Sequence, residues 1–149
     1  MPVFAQPPVP AYAVAAGAST DSAIVREINR VRRSHGLRFV RISSGLARVA
    51  RRHSVEMLAH DALSHSSFDG SSFSTRLAGA GQRRRYGETL AWAPDGAGIT
   101  PRVLVRLWMN SAPHRAVLMD GSLRRIGIGR VLGAMGAQPG AAITADWSS

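Results

Sequence analysis

Helical periodicity dominates the first part of this chain and strand patterns dominate the last part, and that order limits the folds it can adopt. Ile24, Ile28 and Val31 recur at spacings of four and three residues, the pattern of one helix face. Segments 126–131 and 142–147 have the composition of paired strands and are separated by a glycine-rich turn. No internal repeat is visible. The sequence therefore predicts an α+β domain.

Two amphipathic helices are expected in the first third of the chain. The first should begin after a cap at Thr20 or Asp21, and the second after a cap at Ser43 or Ser44. His53 falls on the apolar face of the second helix. We expect it to point inward and to bond a backbone carbonyl rather than to bind a ligand.

The middle of the chain predicts a buried strand at 86–92 and a helix start at Thr100 and Pro101. A hydroxyl group caps the first amides well, and proline suits the first helical position. The expected core face of that helix consists of Val103, Leu104, Leu107 and Trp108. Pro113 forces a new start, so His114 should lie at the beginning of a further helix.

Length and composition agree with one domain. A chain of 149 residues can bury an independent core, and 45% hydrophobic residues argue against disorder. No apolar run approaches the ~20 residues that span a bilayer, so we expect a soluble protein. Cysteine is absent, which excludes disulfides and thiolate ligands or nucleophiles.

The first 20 residues differ from the rest of the chain. They carry no charged side chain and include four prolines. They lack the basic start and uninterrupted apolar stretch of a secretory signal, although Ala13-Val14-Ala15 has the form of a cleavage site. We expect residues 1–20 to form a flexible, polyproline-like arm before a domain at 21–149, with an export signal missing from this sequence.

Basic charge is the strongest compositional bias. Nineteen Lys+Arg stand against nine Asp+Glu, a formal net charge of +10, and every one of these cations is arginine. A basic surface can bind the phosphates of nucleic acid. Because the arginines are scattered and no nucleic-acid-binding motif accompanies them, we do not favour nucleic acid as the partner. Anionic envelope polymers or lipid headgroups suit a basic protein better. The run Arg83-Arg84-Arg85 should lie on a loop at one end of the sheet; an ordinary solvated surface is the alternative.

Three polar clusters carry the chemistry of the chain. They are 63–67 with His65, 87–90 with Glu88, and 108–115 with His114. Two imidazoles and a carboxylate can hold a divalent cation or move a proton near neutral pH. Because Glu88 opens an apolar strand, it should be partly buried, with His65, His114 or an arginine as its partner.

These clusters resemble the CAP superfamily of cysteine-rich secretory, antigen 5 and pathogenesis-related proteins. The likeness is greatest to its compact, cysteine-free bacterial SCP-like branch and runs from about Ala23 to Trp147. Gly87-Glu88-Thr89 matches a segment usually written Gly-Glu-Asn, with Thr89 in place of the Asn. The other matches, in chain order, are 27–37, 44–57, His65, 108–115 and 126–129.

This resemblance implies a three-layer α-β-α sandwich and a cavity lined by two histidines and two glutamates. His65 and His114 match the histidines, and Glu88 matches the first glutamate. The second glutamate would fall near Ser111, where the chain has no carboxylate. Zinc would then be held weakly by two histidines and lost as they protonate. Candidate ligand-binding residues are Asn110, Ser111 and Arg115.

The resemblance also implies a function. It predicts a secreted or envelope-located domain, non-enzymatic or cryptically enzymatic, that binds a lipid, glycan or other envelope-related ligand and a divalent cation. Neither Gly-x-Ser-x-Gly nor His-Glu-x-x-His occurs in the chain. The first alternative is a metal-dependent hydrolase or peptidase with Glu88 as base, in which Glu88, His65 and His114 would be catalytic. The second is an arginine-mediated surface-adhesion module.

Overall fold

The computed structural model of the protein describes residues 11–94 and 99–149, with side chains from residue 20 onward. The helices and strands within these ranges are α1 (Ala11–Ser34), β1 (Arg41–Ile42), α2 (Ser44–Ala59), α3 (Phe73–Ala78), β2 (Tyr86–Pro94), α4 (Pro101–Met109), α5 (Ala112–Leu118), β3 (Arg125–Met135) and β4 (Gln138–Ser148). None of these helices is long and apolar enough to cross a membrane.

The four strands form one mixed sheet in the order β1-β3-β4-β2. β3 and β4 form the predicted antiparallel hairpin, β2 pairs antiparallel with the other side of β4, and the short β1 pairs in parallel with β3. α2 and α3 cover one face of the sheet, and α1, α4 and α5 cover the other. The predicted α+β class and three-layer α-β-α sandwich are confirmed.

The face covered by α1, α4 and α5, here called the apolar face, carries the main core. Trp108 of α4 and Trp147 of β4 are almost completely buried there, together with Ile24 and Ile28 of α1 and Ile126 of β3. Each such burial of a large apolar side chain contributes roughly 1.5–3 kcal/mol. Most of the hydrophobic stabilisation therefore comes from this face.

The opposite face, here called the α2 face, is packed by close backbone contact. Gly127 and Gly129 of β3 lie directly under α2, where an added Cβ would collide with backbone atoms of Ala47 and Arg51. The hydroxyl group of Ser54 on α2 donates to the backbone oxygen of Gly129 at 2.6 Å. The missing side chains let the helix approach the sheet and cover the polar residues buried beneath it.

Two predicted helix starts are confirmed by their caps. The hydroxyl group of Ser43 accepts from the backbone N–H of Leu46 at 3.2 Å, at the start of α2. Thr100 accepts from the backbone N–H of Val103 at 3.2 Å, with Pro101 at the first helical position of α4. Local chemistry therefore fixed both boundaries.

The start of α1 was predicted wrongly. The helix begins at Ala11, so Thr20 and Asp21 lie inside it rather than at its cap. The segment that follows Pro10 is rich in alanine, the strongest helix former, and contains no further proline before the helix ends. The arm predicted as flexible over 1–20 is therefore helical in its second half, while its first ten residues lie outside the described ranges. The domain limits stay a prediction.

α4 presents a different stripe to the core from the predicted one. Leu104 and Trp108 are buried as expected, but Leu107 is 52% exposed and Val105 is buried instead. The indole N–H of Trp108 donates to the backbone oxygen of Leu90 at 3.0 Å, which fixes the rotation of the helix. Periodicity did not show which edge of a broad apolar stripe faces the sheet.

Candidate functional site

A hydrogen-bonded pair, His65 and Glu88, forms the centre of the candidate site. Glu88 lies in the edge strand β2, and its side chain is fully buried, whereas 53% of the His65 side chain is exposed. Nδ1 of His65 lies 2.9 Å from Oε1 of Glu88. Because a charged carboxylate only accepts hydrogen bonds, Nδ1 is the donor. In the neutral ring, Nε2 is then an acceptor.

Arg76 of α3 holds the second oxygen of Glu88. Its NH2 group forms a close ion pair with Oε2 of Glu88. Its NH1 group donates to the backbone oxygen of His65 at 3.2 Å and to the hydroxyl oxygen of Ser67 at 2.9 Å. One guanidinium group therefore fixes both the buried carboxylate and the loop that carries the imidazole. Glu88 is buried beside a histidine and an arginine, as the sequence predicted.

A second carboxyl group, that of Asp146, lies beside Glu88. Asp146 of β4 is directly opposite Glu88 in the antiparallel ladder and is fully buried. Opposite residues of such a pair point to the same face of the sheet, so the two carboxyl groups are neighbours. Neither oxygen of Asp146 has a hydrogen-bond partner of ordinary geometry among the described atoms.

The two carboxyl groups divide their charge unequally. Burial alone would raise the pKa of Glu88. Hydrogen-bonding interactions with His65 and with the carboxyl group of Asp146, together with the positive charge of Arg76, nevertheless hold that pKa below its ordinary value. Burial raises the pKa of Asp146 well above its ordinary value, and the proximity of Glu88 raises it further. Of the two carboxyl groups, Glu88 is therefore the one that ionises first, and Asp146 keeps its proton to a higher pH.

The loop that carries His65 is also tied to α2, through His53. His53 is fully buried, and its Nε2 donates to the backbone oxygen of Ser64 at 2.6 Å. Its Nδ1 lies 3.3 Å from a carboxylate oxygen of Glu56. The inward orientation and backbone bond predicted for His53 are confirmed. Its place in the site is to position the loop.

His114 lies in the first turn of α5, as predicted. It is partly buried, and burial together with the charge of nearby His65 lowers its pKa. Within residues 20–94 and 99–149, no hydrogen bond joins His114 to His65 or Glu88. The structure thus joins His65 directly to Glu88, and a cleft shared with His114 stays a prediction.

Of the predicted ligand-binding residues, Asn110 and Ser111 form the turn between α4 and α5, and Arg115 lies in α5. Asn110 and Arg115 are exposed, and Arg115 donates to the backbone oxygen of Met109 at 3.2 Å, which closes the turn. Ser111 is the cap residue of α5, but its hydroxyl group makes no capping bond. None of the three is hydrogen-bonded to His65 in the described part of the chain, so their binding role stays a prediction.

The donor set limits how a metal could bind. Among the described residues, no three His, Asp or Glu side chains are grouped as ligands. Both oxygens of Glu88 are occupied, which leaves the two imidazoles. His65 suits a ligand role, because metal-binding histidines commonly have their other nitrogen oriented by a carboxylate. A cation held by His65 and His114, with water as its remaining ligands, stays a prediction.

Sequence reasoning missed two residues of the site, Arg76 and Asp146. Asp146 could have been found, because it is a carboxylate in a strand of apolar and small residues, the pattern that drew attention to Glu88. Arg76 lies in a short helix among many arginines, and no sequence pattern marks it. Its role appears only when α3 is placed against β2.

The arginine run lies where the sequence predicted, on the exposed loop that leads into β2. Arg85 forms an ion pair with Asp120 at 2.8 Å, and the backbone N–H of Arg83 donates to the hydroxyl group of Tyr86 at 2.8 Å. These contacts anchor the loop at one end of the sheet. Adhesion to anionic polymers through this loop stays a prediction.

The domain is a three-layer sandwich, and the edge of its sheet carries a buried carboxylate and a half-exposed imidazole. The sequence model of the Cysteine-rich secretory protein family (CAP) matches residues 25–138. The chain therefore belongs to the CAP family. A comparison with curated protein sequences gave no match.

Several solved structures share this fold. An outer surface protein from Borrelia burgdorferi has a TM-score of 0.73 and 21% identity, over 87% of this chain and 92% of that one. An extracellular protein containing an SCP domain from Bacillus anthracis has a TM-score of 0.76 and 21% identity, over 96% and 45%. A cysteine-rich secretory protein from Staphylococcus aureus has a TM-score of 0.67 and 19% identity, over 88% and 39%. The chain spans less than half of the latter two proteins, and the likeness shows the fold alone.

Proposed function

We propose that this chain is an extracytoplasmic CAP domain that binds a polar ligand of the cell envelope, a glycan or peptidoglycan fragment, at the surface around His65. The observation that carries the proposal is the half-exposed imidazole whose Nδ1 is locked by Glu88. It offers Nε2 as a fixed acceptor for a hydroxyl or amide group. Membership of the family and the likeness to an outer surface protein and an extracellular protein support the location.

The surroundings of His65 support a polar ligand. Glu88 and Arg76 hold the imidazole in place before any ligand arrives, which lowers the entropy cost of binding. The ring of Phe73 lies 6.2 Å from the imidazole ring, centre to centre, and adds an apolar surface beside the acceptor. A polar acceptor next to an aromatic ring suits a sugar better than an acyl chain.

The burial of Glu88 favours binding over the hydrolase alternative. A general base must come within hydrogen-bond reach of the proton that it removes. The Glu88 side chain is fully buried, and both its oxygens are engaged. No serine hydroxyl group in the described ranges is bonded to His65, so this imidazole has no serine nucleophile held beside it.

Titration calorimetry with a soluble disaccharide-pentapeptide of peptidoglycan tests the proposal. His65→Ala should weaken binding about five- to tenfold, the worth of one hydrogen bond to a fixed acceptor. His35→Ala, which removes an exposed histidine at the end of α1, is the matched control and should bind normally. Equal affinity for His65→Ala and the parent, or no binding by the parent, would refute the proposal. Release of cleaved fragments would favour the hydrolase.

A weak divalent-cation site is the second candidate function, favoured by the two imidazoles. Glu88 orients His65 toward ligation, and the lowered pKa of His114 keeps that ring neutral at pH 7, as a metal ligand must be. We expect weak Zn²⁺ or Cu²⁺ binding near neutral pH that is lost on acidification, when the imidazoles protonate.

Calorimetry with Zn²⁺ on His65→Ala and His114→Ala, again with His35→Ala as control, measures this binding. Each of the first two variants should lose most of the affinity, because a single remaining imidazole holds zinc poorly. Unchanged affinity in both would place the metal elsewhere.

A further inference from the structure

A polar cavity of about 220 Å³ lies between α2 and α3. Arg48 and Arg52 of α2 and Arg76 of α3 line it, and small residues such as Gly45 and Gly79 leave the space between the two helices open. No acidic side chain occurs among the described residues of its lining. The lining is therefore positively charged: Glu88 balances the charge of Arg76, but no carboxylate in the described lining balances Arg48 or Arg52.

Arg48 and Arg52 are four residues apart, so they project from the same side of α2. Both are exposed, and neither forms an ion pair or a side-chain hydrogen bond with another side chain in the described ranges. Like charges held on one helix face repel each other. An anion between them would offset that repulsion.

Arg76 adds a buried donor to this cavity. Its side chain is only 10% exposed, and its NH1 and NH2 groups are engaged with the His65 loop and Glu88. Its Nε is buried and has no hydrogen-bond partner among the described atoms. A buried donor without an acceptor costs free energy. An oxygen atom entering from the cavity would remove that cost.

We infer that the cavity between α2 and α3 binds a phosphate group, held by the guanidinium groups of Arg48 and Arg52 and by the Nε–H of Arg76. Arginine forms charge-assisted, geometrically specific hydrogen bonds with phosphate oxygens, and several oxygens allow three donors to act at once. The phosphate could belong to a lipid headgroup or to a soluble phosphate compound. This site is separate from the ligand surface around His65, although Arg76 contributes to both.

A titration of the full chain with inorganic phosphate, followed by ¹⁵N NMR of the Arg76 Nε–H, tests the site. The resonance should shift saturably with phosphate. The variant Arg48→Ser/Arg52→Ser should weaken phosphate binding at least about tenfold, since two charge-assisted contacts are lost.

The variant Arg102→Ser/Arg106→Ser is the matched control. It removes two exposed arginines with the same four-residue spacing from α4, on the other side of the sheet, and should change the affinity less than about twofold. Equal weakening by the two variants would overturn the inference, because net charge alone would then explain binding. The same shift with chloride at equal ionic strength, or no saturable shift, would also overturn it.

Two further arms separate the sources of the phosphate and the two sites. Loss of binding to phosphatidylglycerol vesicles, but not of background binding to phosphatidylcholine vesicles, in Arg48→Ser/Arg52→Ser would identify a lipid headgroup. Phosphate binding without such vesicle selectivity would identify a soluble phosphate compound. His65→Ala should retain the phosphate affinity of the parent whether or not the peptidoglycan fragment binds.

Discussion

The two faces of the sheet are built in opposite ways. The apolar face buries both Trp108 and Trp147 among a continuous set of aliphatic side chains. The α2 face has only small apolar clusters, and it buries His53, Glu88 and Asp146. One face therefore supplies stability, and the other supplies the chemistry.

This difference shows how a small domain can keep charged groups out of water. Gly127 and Gly129 allow the backbone of α2 to lie against β3, so the helix itself covers the polar residues. That cover removes water from Glu88 and Asp146, and it is the reason why the pKa of Asp146 is raised well above its ordinary value. The stability of the apolar face offsets the cost of this arrangement.

Gly127→Ala should produce the largest effect, because it breaks the packing of the α2 face. Its added methyl group would collide with backbone atoms of Leu46 and Ala47, so α2 would have to move. We expect the free energy of unfolding to fall by about 3 kcal/mol or more, at or above the upper end of overpacking costs. Urea denaturation measures the change.

Gly133→Ala on the same strand is the control for this substitution. There the added methyl group would meet the tip of the Leu58 side chain at 2.8 Å, and that side chain can turn away. We expect a loss below about 1 kcal/mol. Equal losses in the two variants would show that α2 is not held by backbone contact.

Glu88→Gln and Asp146→Asn should have unequal effects at pH 7, although both replace a buried carboxyl group by an amide. Glu88→Gln leaves Arg76 without its charged partner and should cost about 2 to 3 kcal/mol in the free energy of unfolding. Asp146→Asn should instead stabilise the protein at pH 7, because burial disfavours the charged carboxylate that the unfolded chain carries at this pH, and the amide is never charged.

The pH dependence of unfolding sharpens this contrast. The pKa of Glu88 is lowered in the folded state. Its contribution to the free energy of unfolding is therefore present above pH 4.5, the ordinary pKa, and is lost as the pH falls through the folded pKa. The pKa of Asp146 is raised in the folded state. Its contribution to the free energy of unfolding is therefore present below pH 3.8, the ordinary pKa, and is lost as the pH rises. The difference in free energy of unfolding between the parent and Glu88→Gln should therefore shrink in acid. Asp146→Asn should become more stable relative to the parent as the pH rises. Parallel profiles for the two variants and the parent would refute the division of charge.

A smaller effect than that of Glu88→Gln is expected from Asp21→Asn in α1. Burial raises the pKa of Asp21 to about 6, against the opposing charges of Arg130 and Arg51. Because the pKa is raised, the contribution of Asp21 to the free energy of unfolding is present below pH 3.8 and is lost as the pH rises through about 6. Asp21→Asn should therefore be more stable than the parent by about 1 kcal/mol at pH 7, a value reduced for partial solvent screening. The difference should vanish near pH 4; a constant difference across this range would contradict the argument.

Much of the candidate site was predictable from residue type and position. Glu88 behind a glycine at the start of an apolar strand predicted a buried carboxylate with a histidine or arginine partner, and the structure provides both. His53 on an apolar helix face predicted a buried imidazole bonded to a backbone carbonyl, and Ser64 supplies that carbonyl. In each case the cost of burying a polar group required a partner nearby.

Other features depended on distant parts of the chain. Asp146 faces Glu88 only because β2 and β4 pair in one register, and a shift of one residue would turn it to the other face. Arg76 reaches Glu88 only because α3 packs beside β2. Val105 is buried and Leu107 is exposed because the hydrogen bond of Trp108 fixes the rotation of α4.

By itself, the sequence determined the features whose energies are local. The caps at Ser43 and Thr100 and the β3–β4 hairpin depend on neighbouring residues, so their patterns are visible along the chain. The tertiary structure alone decided which charges meet, because strand register and helix rotation minimise the free energy of the whole core rather than of one segment. The His65–Glu88 pair therefore has a visible origin in the sequence, whereas the Arg76 and Asp146 contacts that set its charge do not.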